Sequence, residues 1–90
     1  MRFRARSREV QALEFDGTAD GADSARHWVS DHDIENVDIT WQGTEENAAL
    51  DVVNAFGLRT IERGDFIFID QGILFAEKRE TFLKQYEEVP

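Results

Sequence analysis

Four polar side chains near residue 30 carry the densest potential for chemistry in this chain of 90 residues. His27, Asp31, His32 and Asp33 are all transition-metal donors, and the four-residue step from His27 to Asp31 would set both on one side of a helical turn. The pattern is not the HExxH of a metalloprotease, and polar clusters close many helices, so the spacing is read as a helix end without a metal. The same histidines lack the serine, glycine-rich phosphate loop or paired carboxylates that acid–base or nucleophilic work would need around them. Asp16, Thr18, Asp20 and Gly21 follow the start of a calcium loop, but His27 stands at the twelfth position, where that loop requires a bidentate glutamate. Arg63-Gly64-Asp65 spells an adhesive tripeptide, and Gly64 and Asp65 explain themselves more simply as a structural turn. No catalytic residue, metal or cofactor is expected, and the chain is read as a non-enzyme.

The aromatic side chains offer binding instead. Trp28 and Trp41 serve a small domain as core anchors, or, where an indole is exposed, as an interface hot spot rimmed by Asp31, Asp33 and Asp38. These five residues are the interface candidates.

The elements that must position them follow from periodicity. Arg2, Arg4, Arg6 and Arg8 alternate with Phe3, Ala5 and Ser7, which predicts an extended edge strand with its cations in water. Val10 to Phe15 predicts a second strand, with Leu13 and Phe15 on one face that Gln11 extends. The small and polar residues from Asp16 to Asp23 read as a surface connection, Asp23 as the N-cap, and Ala25, Trp28 and Val29 as the buried stripe of a short helix ending within Ser30 to Asp33. Val37, Ile39 and Trp41 alternate as a half-buried strand. Further strands are predicted over Leu50 to Val53 and Leu58 to Ile61, and a hairpin joins Phe66–Ile69 to Ile73–Ala76 through Asp70-Gln71-Gly72. Phe82, Leu83 and Tyr86 share one face of a final short helix followed by a tail, and Phe82 and Tyr86 are expected to fasten it against the sheet containing Phe66 and Ile73 to Phe75. The predicted fold is alpha+beta: a small, mainly antiparallel sheet with two short packed helices, in one domain over residues 1–90.

Composition bounds what such a domain can do. A chain this short removes only about 60 to 65% of its surface from water, which allows one modest core and little scaffold for a deep cavity. There is no cysteine, so neither a disulfide framework nor a thiolate zinc site is available. No run of 18 apolar residues spans a membrane. The formal charge of -9 is uneven: the first eight residues carry +4 and residues 9–90 carry -13. Direct nucleic-acid binding is disfavoured, because a phosphate-binding face needs a positive surface.

Three stretches carry a family resemblance: Gln11-Ala12-Leu13-Glu14-Phe15-Asp16-Gly17, then Arg63-Gly64-Asp65-Phe66-Ile67, then Lys78 through Val89 with its Phe82-Leu83-Lys84-Gln85-Tyr86-Glu87-Glu88 core. In order and spacing the chain resembles a family of small proteins encoded by tailed bacteriophages and prophages, with a VEAVQWDG-like first strand and a PGDWI…FEKTYEEV-like end. Arg63 and Arg79 stand where that pattern has prolines. The resemblance implies a phage protein in the host cytoplasm and no particular chemistry; together with the lack of an active-site constellation it leads to the expectation of protein–protein interaction with a host or defence component, the partner being a host or phage protein or a second copy of the chain. It is equally compatible with a virion accessory protein. A third expectation, from the acidity, is a DNA mimic that inhibits a nucleic-acid-binding host protein.

Overall fold

In the computed structural model, which describes residues 1–5 and 8–89, the arginine alternation becomes a three-residue strand, β1 (Arg2–Arg4), with Phe3 buried and its flanking cations exposed. β2 (Glu9–Glu14) pairs antiparallel with it, and α1 (Ala19–Asp31) follows. β3 (Asp38–Gly43), β4 (Ala48–Asn54) and β5 (Gly57–Ile61) form a meander, β6 (Phe66–Asp70) and β7 (Ile73–Glu77) the expected hairpin, and α2 (Arg79–Gln85) and β8 (Glu87–Glu88) end the chain. The alpha+beta class, with antiparallel pairing throughout and two short helices, is as the sequence predicts.

The strands divide between two sheets: five in the order β7-β6-β2-β1-β8 and three in the order β3-β4-β5. The larger sheet buries both faces, so the apolar residues separate into two clusters instead of the single core expected. Val10 and Ala12 stand on the face with Phe3, Phe66 and Phe68, covered by Phe82 and Tyr86. Leu13 and Ile67 stand on the other, with Leu74 and Ala76, against α1 and the inner face of the smaller sheet, where Ile39, Leu50, Val52 and Ile61 are buried. The alternation in β2 therefore has meaning on both faces, which a search for one apolar side misses.

Two expectations at the chain ends are corrected. β1 is not an edge strand, because β8 pairs with it at Phe3↔Glu88 and Arg4↔Glu87. The residues after α2 form that strand rather than a tail. Arg2, Arg4 and Arg8 are spent locally, against Glu9, Glu87 and Asp70; Arg6 and Ser7 lie outside the described residues.

The first helix starts earlier than its composition suggests. Thr18, not Asp23, is the N-cap: its hydroxyl accepts the Gly21 amide at 2.9 Å. Asp16 in turn accepts both the amide and the hydroxyl of Thr18, so the carboxylate that opened the calcium-like pattern is used in capping. A β-carbon on Gly21 would fall 1.9 Å from that carboxylate, which is why no larger residue fits there. Ala22, Ala25 and Val29 are buried along the helix. Small side chains let the helix approach the sheet closely, and the same smallness makes the segment look like a loop in sequence.

The second helix is held as predicted. Phe82 is fully buried, stacked on Phe66 at 4.5 Å and on Tyr86 at 4.8 Å and edge-on to Phe3 at 4.8 Å. Leu83, expected on the same face, is exposed, and Leu74 turns to the opposite cluster.

Candidate interaction surface

Both histidines singled out for chemistry lie within hydrogen-bond distance of the backbone of α1. His27 Nδ1 lies 2.9 Å from the Asp23 carbonyl oxygen and His32 Nδ1 2.8 Å from that of Trp28, each one helical turn back. Among the described residues no group of three or more His, Asp or Glu side chains is arranged to hold a metal ion. Gly64 takes a φ of +89°, and Asp65, 7% exposed, accepts the amides of Glu62 (2.8 Å) and Arg79 (2.9 Å) and pairs with Lys78 at 3.2 Å. Burial works against the Asp65 carboxylate, but the two amides and the ammonium outweigh it and hold its pKa below the ordinary carboxylate range. Asp65 thus ties the turn before β6 to the start of α2, and the adhesive tripeptide is a structural joint with its acid turned inward.

The tryptophan constellation does not assemble as one patch. Trp28 is half-buried against the cluster beneath α1, its ring 4.7 Å from that of His32. Trp41, 37% exposed, pairs with buried Leu50 and so faces the inner side of the small sheet. Asp38 pairs with exposed Val53 on the outer side and cannot rim Trp41. Asp31 closes α1 and Asp33, with a φ of +55°, lies in the turn after it, both exposed.

Exposed apolar surface collects elsewhere. Val53 and Leu58 are cross-strand partners on the outer face of the β3–β4–β5 sheet, and Phe56, 74% exposed, sits at the tip of the same hairpin. Asn54 builds that tip from both ends of its amide. Its oxygen accepts the Phe56 amide at 2.8 Å, and its nitrogen donates to the Leu74 carbonyl at 2.8 Å, which fastens the hairpin to β7 across the gap between the sheets. Phe56 is stacked 6.0 Å from Phe75. Between hairpin and β7 runs a cleft of about 240 Å³ lined by Phe56, Leu58, Arg59, Phe75 and Glu77. Farther along the outer face, Asp51 accepts hydrogen bonds from Gln42 and Thr60, a polar row across all three strands. The sequence predicts a turn over Asn54 to Gly57 but not its exposed aromatic or its tie to β7. The available signal was Phe56 itself, a large apolar residue where turns favour small polar ones.

Charge separates along the same line. Residues 16–62 hold 11 Asp and Glu against Arg26 and Arg59, net -9, whereas the rest of the chain holds eight of each sign. Among the described residues, Asp23 is the one carboxylate of those 11 with an ion pair, to Arg26 at 3.8 Å. Outside that segment, among the described residues, the cations are engaged, Arg79 with Glu14 at 3.0 Å and Lys84 with Glu80 at 3.9 Å among them.

No family model matches this chain, and neither the curated proteins nor the solved structures hold a significant match to it. The resemblance to small tailed-phage proteins accordingly rests on the sequence motifs alone.

Proposed function

We propose that the protein is a non-enzymatic interaction module, encoded by a phage and acting on a host or phage protein. One observation carries this reading: the segment with all the excess negative charge is also the one that leaves Val53, Phe56 and Leu58 in water. Scattered exposed apolar residues need no explanation, but three on one hairpin, one of them an aromatic held by a dedicated side chain, are what a binding surface requires. The setting in a host cell comes from the motif resemblance. Affinity capture from host lysate, followed by reconstitution of the complex from purified components and measurement of its mass, tests it: a stoichiometric complex is expected. A strict monomer with no specific partner, or turnover of a metabolite, phosphodiester or peptide that His27→Ala or His32→Ala abolishes in a folded protein, would overturn it. Abundant copies in purified particles would instead indicate a virion role.

The confinement of the whole charge of -9 to residues 16–62 also favours nucleic-acid mimicry as a second reading. Under it, duplex DNA competes with the chain for a basic host factor and salt weakens the complex steeply. Binding indifferent to both removes this reading and leaves the first.

A further inference from the structure

We propose that the outer face of the β3–β4–β5 sheet, with the Phe56 tip, docks a basic amphipathic helix of another protein. The proposal rests on the interaction reading above and names its surface and the chemistry of its partner. Val53 and Leu58 lie side by side by register, 42% and 64% exposed, and Phe56 at the tip of the same hairpin is 74% exposed, its ring turned toward Phe75 of β7. Register also puts Asp38 beside Val53 and Asp51 two residues before it on the same face. Among the described residues of the three strands no lysine or arginine shares that face: Arg59 pairs with Val52, whose side chain is buried on the inner side, and reaches Glu77 at 3.9 Å. The sheet face is therefore an apolar strip flanked by carboxylates, and the cation nearest its tip, Arg59, lies in the cleft beside Phe56 and is paired with Glu77.

Charge decides between occupants. A second copy would bring another segment of net -9 against the first, while Arg4 and Arg79 on the far half stay paired with Glu87 and Glu14. Like charges across an interface are opposed, so the complementary partner is cationic. Width decides its form. Three strands spaced about 4.8 Å apart give a face about 10 Å across, the diameter of one helix with its side chains. A helix with leucine-like residues on one side and Lys or Arg along the margins would cover Val53, Phe56 and Leu58 and set its cations over Asp38 and Asp51.

The probe is a fluorescein-labelled helical peptide of leucine and lysine, its leucines spaced i, i+3, i+4 and i+7, titrated by anisotropy at low and at physiological ionic strength. Three results are expected together: saturable binding weakened by salt, amide shifts in residues 51–60 on titration, and a loss of about tenfold or more in the double variant Phe56→Ser, Leu58→Ser with its unfolding midpoint retained. Leu83→Ser, an exposed leucine on α2, should change affinity by less than about twofold. A lysine–glutamine peptide without the apolar side, and a leucine–glutamate peptide, should bind far more weakly. Undiminished binding by the double variant overturns the surface while leaving the interaction reading intact. Failure of the leucine–lysine peptide to bind overturns the partner chemistry, whereas failure of the reading itself would appear as the absence of any reconstituted complex. A wild-type dimer that the double variant dissociates would replace the helix with a second copy and overturn the proposal.

Discussion

The half of the molecule made from residues 1–15 and 63–89 closes its accounts internally, while the segment 16–62 does not. In the first, Phe3, Phe66, Phe68, Phe82 and Tyr86 are buried together and Arg2, Arg4, Arg8 and Arg79 meet carboxylates of the same half. In the second, the carboxylates stand largely without ion-pair partners among the described residues, and a phenylalanine sits in water. Self-repulsion of a concentrated charge opposes compaction, and an exposed aromatic gains nothing from the hydrophobic effect. The contrast separates residues that hold the fold from residues that face outward, and substitution can test it from either side.

The largest effect belongs to the closed half. Phe82→Ala should cost about 3–5 kcal/mol, since it empties the centre of an aromatic cluster that can collapse only in part. Denaturant unfolding beside the parent measures it, with exposed Lys84→Gln as the control expected to leave the midpoint in place. A parental midpoint for Phe82→Ala would end the distinction between the halves.

Next comes the joint at Asp65. Asp65→Ala leaves the Glu62 and Arg79 amides without their acceptor, at about 1–3 kcal/mol for each buried group left unsatisfied. Because the folded carboxylate has the lower pKa, its contribution is complete above the unfolded value near 3.8 and is lost as pH falls through the folded value. The parent should therefore lose stability in acid more steeply than Asp65→Asn, compared by thermal unfolding from neutral pH down to about pH 3.

Asn54→Ala probes the seam between the halves. Removal of its two hydrogen bonds should cost about 1 kcal/mol and speed hydrogen exchange of the Phe56 amide, with the aromatic cluster undisturbed. Smallest of all, Phe56→Ala should change stability by less than about 1 kcal/mol, the worth of one loose ring contact, even though it removes as large a side chain as Phe82→Ala. Calorimetry of the two variants in parallel sets burial against size directly.

Much of this was legible in the chain. The β6–β7 hairpin announces itself through two apolar runs around Gln71-Gly72, and the docking of α2 through Phe82 and Tyr86, because large apolar residues at regular spacing have few alternatives to burial. The start of α1 was not, because its buried positions are alanines, whose small area makes little pattern. Nor was the split into two sheets: each β-segment reveals which residues are apolar, but not that Val10 and Leu13 serve opposite clusters. The candidate surface was least legible. Trp28 and Trp41 drew attention by size, yet exposure is settled by register, and register turned Trp41 inward and left Val53, Leu58 and Phe56 outside.

The pairing of β8 with β1 has a topological consequence. The Val89 amide donates to the Arg2 carbonyl at 2.9 Å, so residues 2 and 89 run side by side. A linker of a few residues could join them into a ring without disturbing either strand, and the backbone could then be reopened at Gln71-Gly72, where both residues are exposed. Such a permuted chain would keep every strand neighbour while exchanging which contacts are local and which close long loops. The junction also occupies the sheet edge opposite β7, about 19 Å of strand spacing away from the side where the Asn54 hairpin is attached. A molecule tethered by that edge would present the hairpin outward.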